Sequence, residues 1–176
     1  MTIERRYTAE LRGGPTGVLS GYAAVFDAQS QDLGGFVEIV RPGAFRRTLA
    51  AADHVRALYD HNGGHVLGRV GAGTLRLAED TRGLHFEVKL PQTTVARDLA
   101  VLVERGDVDG ASFAFRVAPQ GERWDARAAV PVRELLAVDL EEITITARPA
   151  YVDTSVALRS LPRHPVTLRR RYLETL

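Results

Sequence analysis

The fold class is decided by TLRLAEDTRGLHFEV, which occupies residues 74–88. Apolar and polar residues alternate on both sides of its centre, as they do along a β-strand with one buried face. The middle of the stretch, residues 79–83, reads Glu-Asp-Thr-Arg-Gly, and Asp and Gly are typical of a turn. The stretch therefore predicts an antiparallel hairpin with strands at residues 74–77 and 84–88.

Outward from this hairpin, the chain continues as short strands separated by turn residues. Helical spacing of apolar residues predicts a short helix over residues 44–52, and a longer helix from a Thr93–Thr94 cap to about Arg105, with Gly106 just past its end. The pattern indicates a mainly β domain, a barrel or a sandwich, flanked by helices. The further predicted strands are residues 3–11, 18–26, 36–40, 55–59, 67–70, 110–117, 130–138 and 140–147.

The composition is that of a globular protein in a reducing compartment. The chain has 176 residues, of which 45% are hydrophobic and 26% charged, and this is enough for one self-sufficient core. The absence of cysteine excludes disulfide frameworks, zinc ribbons and cysteine nucleophiles. No apolar run approaches the roughly 20 residues of a membrane span, and residues 1–6 are too charged for a secretory signal. We expect a cytoplasmic protein with no membrane partner.

Positive charge is concentrated at the C-terminus. Residues 159–176 contain five arginines and one glutamate, a net of +4, so residues 1–158 carry −3 of the chain's +1. The tail also contains two prolines, which predicts a main domain at 1–158 and a basic tail at 159–176. A solvated terminus is the favoured interpretation, with an acidic partner as the alternative. Nucleic-acid binding is disfavoured by the negative charge of the main domain.

Two residues stand out as candidates for acid–base and nucleophilic chemistry. His61 lies at the end of an apolar strand and just before a pair of glycines, where a side chain can be held at the edge of a cleft. Ser112 follows Gly110 in a strand, where small neighbours permit close approach of a substrate. Each also has a plain structural interpretation, a polar loop residue for His61 and a strand serine for Ser112.

A pair of acidic residues supplies the third candidate. Glu141 and Glu142 precede an alternating strand, and Glu142 shares one face of it with Thr144 and Thr146. A carboxylate on a strand can orient a histidine, although a solvated acidic pair is the commoner case.

A metal site is the remaining chemical alternative. His61, His65 and His85 are potential zinc ligands, but the glycines between the first two disfavour a helical ligand face. No metal and no cofactor is predicted.

Seven stretches occur in an order that matches a known family. The chain resembles the HK97-type phage prohead (capsid maturation) serine proteases over roughly residues 18–158. The matching stretches are GYAAVF (21–26), RPGAF (41–45), LYDHN (58–62), VLGR (66–69), DTRGL (80–84), DVDGASFAF (107–115) and EITITARPA (142–150).

The resemblance implies a fold and three catalytic residues. The family is similar to the herpesvirus assemblins, so it implies an antiparallel β-barrel ringed by helices. Its serine motif falls on Ser112 and its histidine motif on His61. Its acidic position falls on Glu142, with Glu141 as the competitor.

The resemblance also directs attention to three further positions. Ala114 stands where the family usually has Gly, and Thr144 stands where it often has Ser. The oxyanion donor implied by the assemblin likeness is Arg148, with a backbone N–H near Phe113 as the alternative.

The resemblance implies a biological setting as well. The enzyme would act inside an assembling procapsid in the host cytoplasm, on the major capsid protein and its scaffolding segment, and would cut itself. The basic tail fits a targeting segment or one removed by self-cleavage. A homodimer would follow from the assemblin likeness. A catalytically inactive capsid-assembly or scaffold protein of the same fold is the alternative, and phage, prophage and gene-transfer-agent origins are equally open.

Overall fold

The computed structural model of the protein describes residues 2–8, 11–13 and 17–147. The basic tail at 159–176, the boundary at residue 158 and Arg148 lie outside this part of the chain. The division into a main domain and a tail therefore remains a prediction.

The described residues are mainly β, with 48% strand and 16% helix. Their strands are β1 Glu4–Thr8, β2 Leu11–Gly13, β3 Val18–Val25, β4 Val37–Val40, β5 Arg56–Tyr59, β6 Asn62–Arg69, β7 Leu75–Glu79, β8 Gly83–Lys89, β9 Gly110–Val117, β10 Glu122–Asp125, β11 Val132–Leu135 and β12 Val138–Thr146. Their helices are α1 Arg46–Leu49 and α2 Thr94–Arg105, with 3-10 turns at Ala52–His54 and Val70–Ala72.

The described strands form three sheets. The largest has the order β1-β9-β12-β5-β6, and the others are β10-β11-β4 and β2-β3-β8-β7. Neighbours are antiparallel except β12 with β5 and β11 with β4, which are parallel. The prediction of a mainly β fold with helices is confirmed. Over the residues that the structure describes, the strands do not close into a single barrel.

One core lies between the largest sheet and the four-stranded sheet. The hairpin predicted from residues 74–88 is confirmed as β7 and β8, with Leu75 opposite Val88 and Leu77 opposite Phe86. Its inward side chains meet those of β9 and β12 in a continuous apolar cluster. That cluster includes Leu75, Phe86, Val88, Phe113, Phe115, Ile143 and Ile145.

The two helices differ in how they are held. α2 begins and ends as predicted, because the Thr93 hydroxyl accepts from the Ala96 N–H at 3.3 Å and Gly106 adopts a left-handed φ of 80°. α1 is shorter than predicted. The Thr48 side chain donates to the Val138 carbonyl and accepts from the Leu140 N–H, so contacts with β12, rather than helical propensity, fix this segment.

Strand β10 has no counterpart in the sequence prediction. Its residues are mostly charged, and its one apolar residue, Trp124, packs on Phe36. Arg133 of β11 binds Glu122, the first residue of β10, at 2.7 Å. Ion pairing of this kind leaves no periodic signal in the sequence.

No helix among the described residues is both long and apolar enough to cross a bilayer.

Candidate active site

The site is built on one face of the largest sheet, the face turned away from the core. Ser112 of β9 lies directly opposite Thr144 of β12 in the antiparallel register, so the two side chains share this face. Thr144 is in turn aligned with Leu58 of β5. We call this side of the sheet the site face, and it is defined by Ser112, Thr144 and Leu58.

A β-bulge brings both glutamates to the site face. The register between β9 and β12 shifts between Leu140 and Glu142, which makes Glu141 an extra residue in the strand. Leu140 and Ile143, three residues apart, both reach the core. The two glutamates between them point to the opposite side, where Glu141 pairs with Arg116 and Glu142 is left for a different partner.

His61 reaches the site face through a tight turn. β5 and β6 are joined by Asp60 and His61 alone, and Tyr59 pairs with Asn62 across the turn. Asp60 and His61 have φ values of 52° and 55°. Two successive positive φ values are those of a type I′ hairpin turn, and Asp and His are among the non-glycine residues that tolerate them best. The turn thus explains why an acidic residue and a histidine stand together here.

Four hydrogen bonds fasten this turn to β12. The His61 N–H donates to the Thr144 hydroxyl at 3.0 Å, and the Asp60 N–H donates to the Ile145 carbonyl at 3.0 Å. The Thr146 hydroxyl donates to the Asp60 carboxylate at 2.9 Å. The fourth bond joins the His61 ring to Glu142, with Nδ1 2.9 Å from Oε1.

The bond between His61 and Glu142 sets the state of the imidazole. An ionised carboxylate only accepts, so the hydrogen between the two groups belongs to Nδ1. In the neutral ring this leaves the lone pair on Nε2, which is the form that can accept a proton. The His61 side chain is 26% exposed and that of Glu142 13%, so the ring is open to a substrate while the acid is largely covered.

Ser112 lies beside this pair without a bond to it. The residue is 3% exposed, and no hydrogen bond between its side chain and His61 is present among the described residues. Hydrogen bonds between catalytic groups are often long before substrate binds.

Three of the predicted site residues thus lie on one face around His61, whereas Glu141 is bound to a different partner. The structure brings His61 into contact with Glu142 and places Ser112 on the same face, next to the threonine that holds the His61 backbone. Glu141 does not contact His61, because it is paired with Arg116. Ala114 lies opposite Glu142 and is 1% exposed, so its methyl group faces the site where a glycine would leave space.

The histidines of the metal alternative do not gather in the described residues. His65 stacks on Tyr59, and His85 lies on β8 with its ring against Tyr22. No group of three His, Asp or Glu side chains suited to a metal is present in that part of the chain. The zinc hypothesis therefore has no support from the geometry.

The contacts by which Thr144 and Asp60 hold the His61 turn were not predicted from the sequence. Thr144 stood out only as a departure from Ser, and nothing in the sequence indicated that its hydroxyl binds the His61 backbone. The available signal was the shared face of Glu142, Thr144 and Thr146, which lines up three polar side chains along one strand.

A histidine oriented by a carboxylate, on the same sheet face as a serine, is the kind of arrangement found in serine hydrolases. Comparison with models of protein families matches residues 4–166 to the caudovirus prohead serine proteases. The match covers most of the chain, so the protein belongs to this family of phage serine proteases, whose members act in capsid maturation. Searches of the curated proteins and of the solved structures found no match.

Proposed function

We propose that the protein is a serine endopeptidase that uses Ser112, His61 and Glu142 to process capsid or scaffolding protein during prohead maturation. Membership of the prohead serine protease family supports the reaction and its setting. The observation that carries the assignment of residues is the 2.9 Å contact between His61 Nδ1 and Glu142, on the strand next to Ser112.

The proposed chemistry follows from the positions of these groups. His61 Nε2 takes the proton of the Ser112 hydroxyl as its oxygen bonds to a peptide carbonyl carbon. The imidazolium then gives this proton to the departing amine, and the C–N bond breaks to leave an acyl-enzyme. Water then repeats the two steps: His61 takes a proton from the water as its oxygen bonds to the acyl carbon, and the bond from that carbon to Ser112 Oγ breaks as His61 returns the proton to the serine. Glu142 stabilises the imidazolium throughout.

Three details of this proposal rest on the family likeness alone. The oxyanion requires fixed donors, for which a backbone N–H near Phe113 and the side chain of Arg148 are the candidates. A closed assemblin-type barrel and a homodimer also remain predictions. Sedimentation at several protein concentrations tests the dimer, and a species of constant monomeric mass would exclude it.

Replacing the serine tests the central claim. Ser112→Ala should lower processing of the phage's own capsid precursor by about 10⁴-fold or more, since removal of a catalytic nucleophile usually has an effect of this size. Ser20→Ala is the matched control, because Ser20 lies on β3 in another sheet. Processing at the original rate by Ser112→Ala would refute the enzyme proposal and favour the inactive assembly protein.

The two adjacent glutamates allow a sharp test of the acid. Glu142→Gln should lower kcat by about 10³–10⁴-fold, because the amide supports the wrong imidazole tautomer. Glu141→Gln should change kcat less than threefold, since Glu141 binds Arg116 and not His61. Similar losses in both variants would show that the acid is wrongly assigned.

Self-cleavage is the last part of the proposal. The basic tail at 159–176 is the expected target, because it is rich in arginine and proline and follows the last strand that the structure describes. Mass spectrometry after long incubation at high concentration should show a shortened chain in the wild type and an intact chain in Ser112→Ala. An intact wild-type tail with full activity on capsid protein would contradict this step.

A further inference from the structure

An arginine-rich row lies next to the candidate catalytic row on the site face. Along the sheet, Ala114 is opposite Glu142, Glu142 is aligned with Arg56, and Arg56 is opposite Arg69. Residues directly opposite one another share a face, so both guanidinium groups project on the side of the sheet that carries Ser112. This row is two residues from the row of Ser112 along each strand.

The two arginines are unsatisfied within the described part of the chain. Arg56 and Arg69 are both exposed, and neither forms an ion pair with any carboxylate that the structure describes there. Glu142 is the acid aligned with Arg56, but its Oε1 is bound to His61 at 2.9 Å. Arg76 on β7 is exposed as well, but it differs from the pair because the residue directly opposite it, Glu87 of β8, is acidic.

Like charges directly opposite each other on neighbouring strands destabilise a sheet. An arginine pair at such a position, with no ion pair to any carboxylate of the described residues, is therefore better suited to a ligand than to the fold. Two guanidinium groups side by side offer several N–H donors to one carboxylate, which they bind more strongly than ammonium groups would.

The position of the pair matches an extended polypeptide bound over Ser112. Arg56 is two strands from Ser112 and two residues further along, which places their Cα atoms about 12 Å apart. An extended peptide advances about 3.3 Å per residue, so Arg56 lies about three or four residues from the scissile bond. Arg69, one strand further, extends the same positive patch.

We infer that Arg56 and Arg69 form a specificity subsite for an acidic side chain of the polypeptide substrate, about three or four residues from the bond that is cut. The inference rests on the proposed protease function and adds a substrate preference to it. The acid is expected on one side of the scissile bond only, because the arginines lie on one side of Ser112.

The test begins with a mixture of synthetic peptides of varied sequence, cleaved by the full-length protein and identified by mass spectrometry. Wild-type products should be enriched in Asp or Glu at one position near the expected spacing. A matched pair of peptides, with Glu or Gln at that position, then gives kcat/KM values. We expect the Glu peptide to be favoured by about tenfold, the size of a net charge-assisted hydrogen bond.

Arg56→Gln/Arg69→Gln should reduce that ratio to about one by slowing only the Glu peptide, whereas Arg76→Gln should leave it at about ten. The melting temperature of the double variant should be unchanged or higher, because a repulsive pair is removed. A wild-type enzyme without acid preference, a preference that survives in the double variant, or a large drop in its melting temperature would overturn the inference.

The same experiment separates this inference from the proposed function. If neither peptide of the pair nor any member of the mixture is cut, and Ser112 does not react with a fluorophosphonate probe, the protease proposal fails and the subsite fails with it. If Ser112 reacts and peptides are cut with no preference for acid, only the subsite is refuted.

Discussion

The threonine opposite Ser112 offers the most decisive perturbation of the site. Thr144→Val keeps the shape and burial of the side chain but removes the hydroxyl that accepts the His61 N–H at 3.0 Å. His61 also has a φ of 55°, which raises the energy of the folded chain by about 1 kcal/mol. We expect the variant to loosen the turn and let the imidazole move away from its position over the site face.

The expected loss of stability follows from this single hydrogen bond. An N–H that loses its partner at a partly buried position destabilises a fold by about 1–2 kcal/mol. For a domain of this size that corresponds to a fall in melting temperature of about 2–8 °C. The effect on catalysis should be larger, because a displacement of about 1 Å in a catalytic group can slow a reaction about 100-fold. We expect Ser112 to react about 10- to 100-fold more slowly with a fluorophosphonate probe.

Two variants control for stability. Thr144→Ser restores the hydroxyl and should react within about threefold of the wild type. Thr48→Val removes a buried hydroxyl that binds the Val138 carbonyl and the Leu140 N–H, at the other end of β12. It should therefore lower the melting temperature without slowing Ser112. All rates are measured well below the lowest melting temperature. Equal rates in Thr144→Val and Thr48→Val would refute a positioning role for Thr144.

Two further predictions concern the ion pairs that hold the sheets together. Arg133→Met should lower the free energy of unfolding by about 3–5 kcal/mol in urea titrations. The reason is that Arg133 binds the buried carboxylates of Glu4 and Glu38, at 2.5 and 3.1 Å. A loss below about 1 kcal/mol would contradict this. Hydrogen bonds from Arg123 and Arg41 lower the pKa of Glu134 from its ordinary value of 4.5 to about 2. Since the folded state binds this proton less readily than the unfolded chain, the contribution to stability is complete above about pH 4.5 and is lost as the pH falls towards 2. Denaturation midpoints should thus fall less steeply with acid in Glu134→Gln than in the wild type, and parallel curves would exclude this account.

Local patterns in the sequence predicted the elements that depend on local contacts. The hairpin of β7 and β8 has alternating apolar residues and a turn, and α2 has a threonine cap and a terminal glycine, so both were found with nearly the right bounds. α1 depends on a partner far along the chain, since Thr48 contacts β12, and its extent could not be predicted in this way. β10 pairs with β11, the next strand, but it is short and mostly charged, so it has no alternation of apolar residues to reveal it.

The partition of strands among sheets was also beyond the sequence. Two pairs, β12 with β5 and β11 with β4, are parallel and join segments that are distant along the chain. Alternation of apolar residues is the same in parallel and antiparallel strands that have one exposed face, so it does not distinguish them. The assemblin-type barrel was implied by the family likeness, and the described strands confirm only the mainly β character of the fold.

The candidate site, too, could be predicted only where it depends on contacts within one strand. The polar face of Glu142, Thr144 and Thr146 follows from simple alternation, and the structure has these residues on one face. Alternation does not predict which of Glu141 and Glu142 contacts His61, because this depends on the bulge and on Arg116. A trace of the bulge is nevertheless present in the sequence, since the apolar residues change phase between Leu140 and Ile143.

Two features of the site face are unfavourable for the folded protein without a bound substrate. They lie close together, and this supports a functional interpretation of both. The turn holds Asp60 and His61 at positive φ, which raises the energy of the folded chain by about 1 kcal/mol per residue. Arg56 and Arg69 repel each other only a few residues away along the same two strands. Backbone strain and unneutralised charge are common where a protein binds a ligand, because the ligand supplies the missing interactions. A substrate segment with an acidic residue would neutralise the arginines while it places its carbonyl beside Ser112, so substrate binding and substrate selection would occur on one surface.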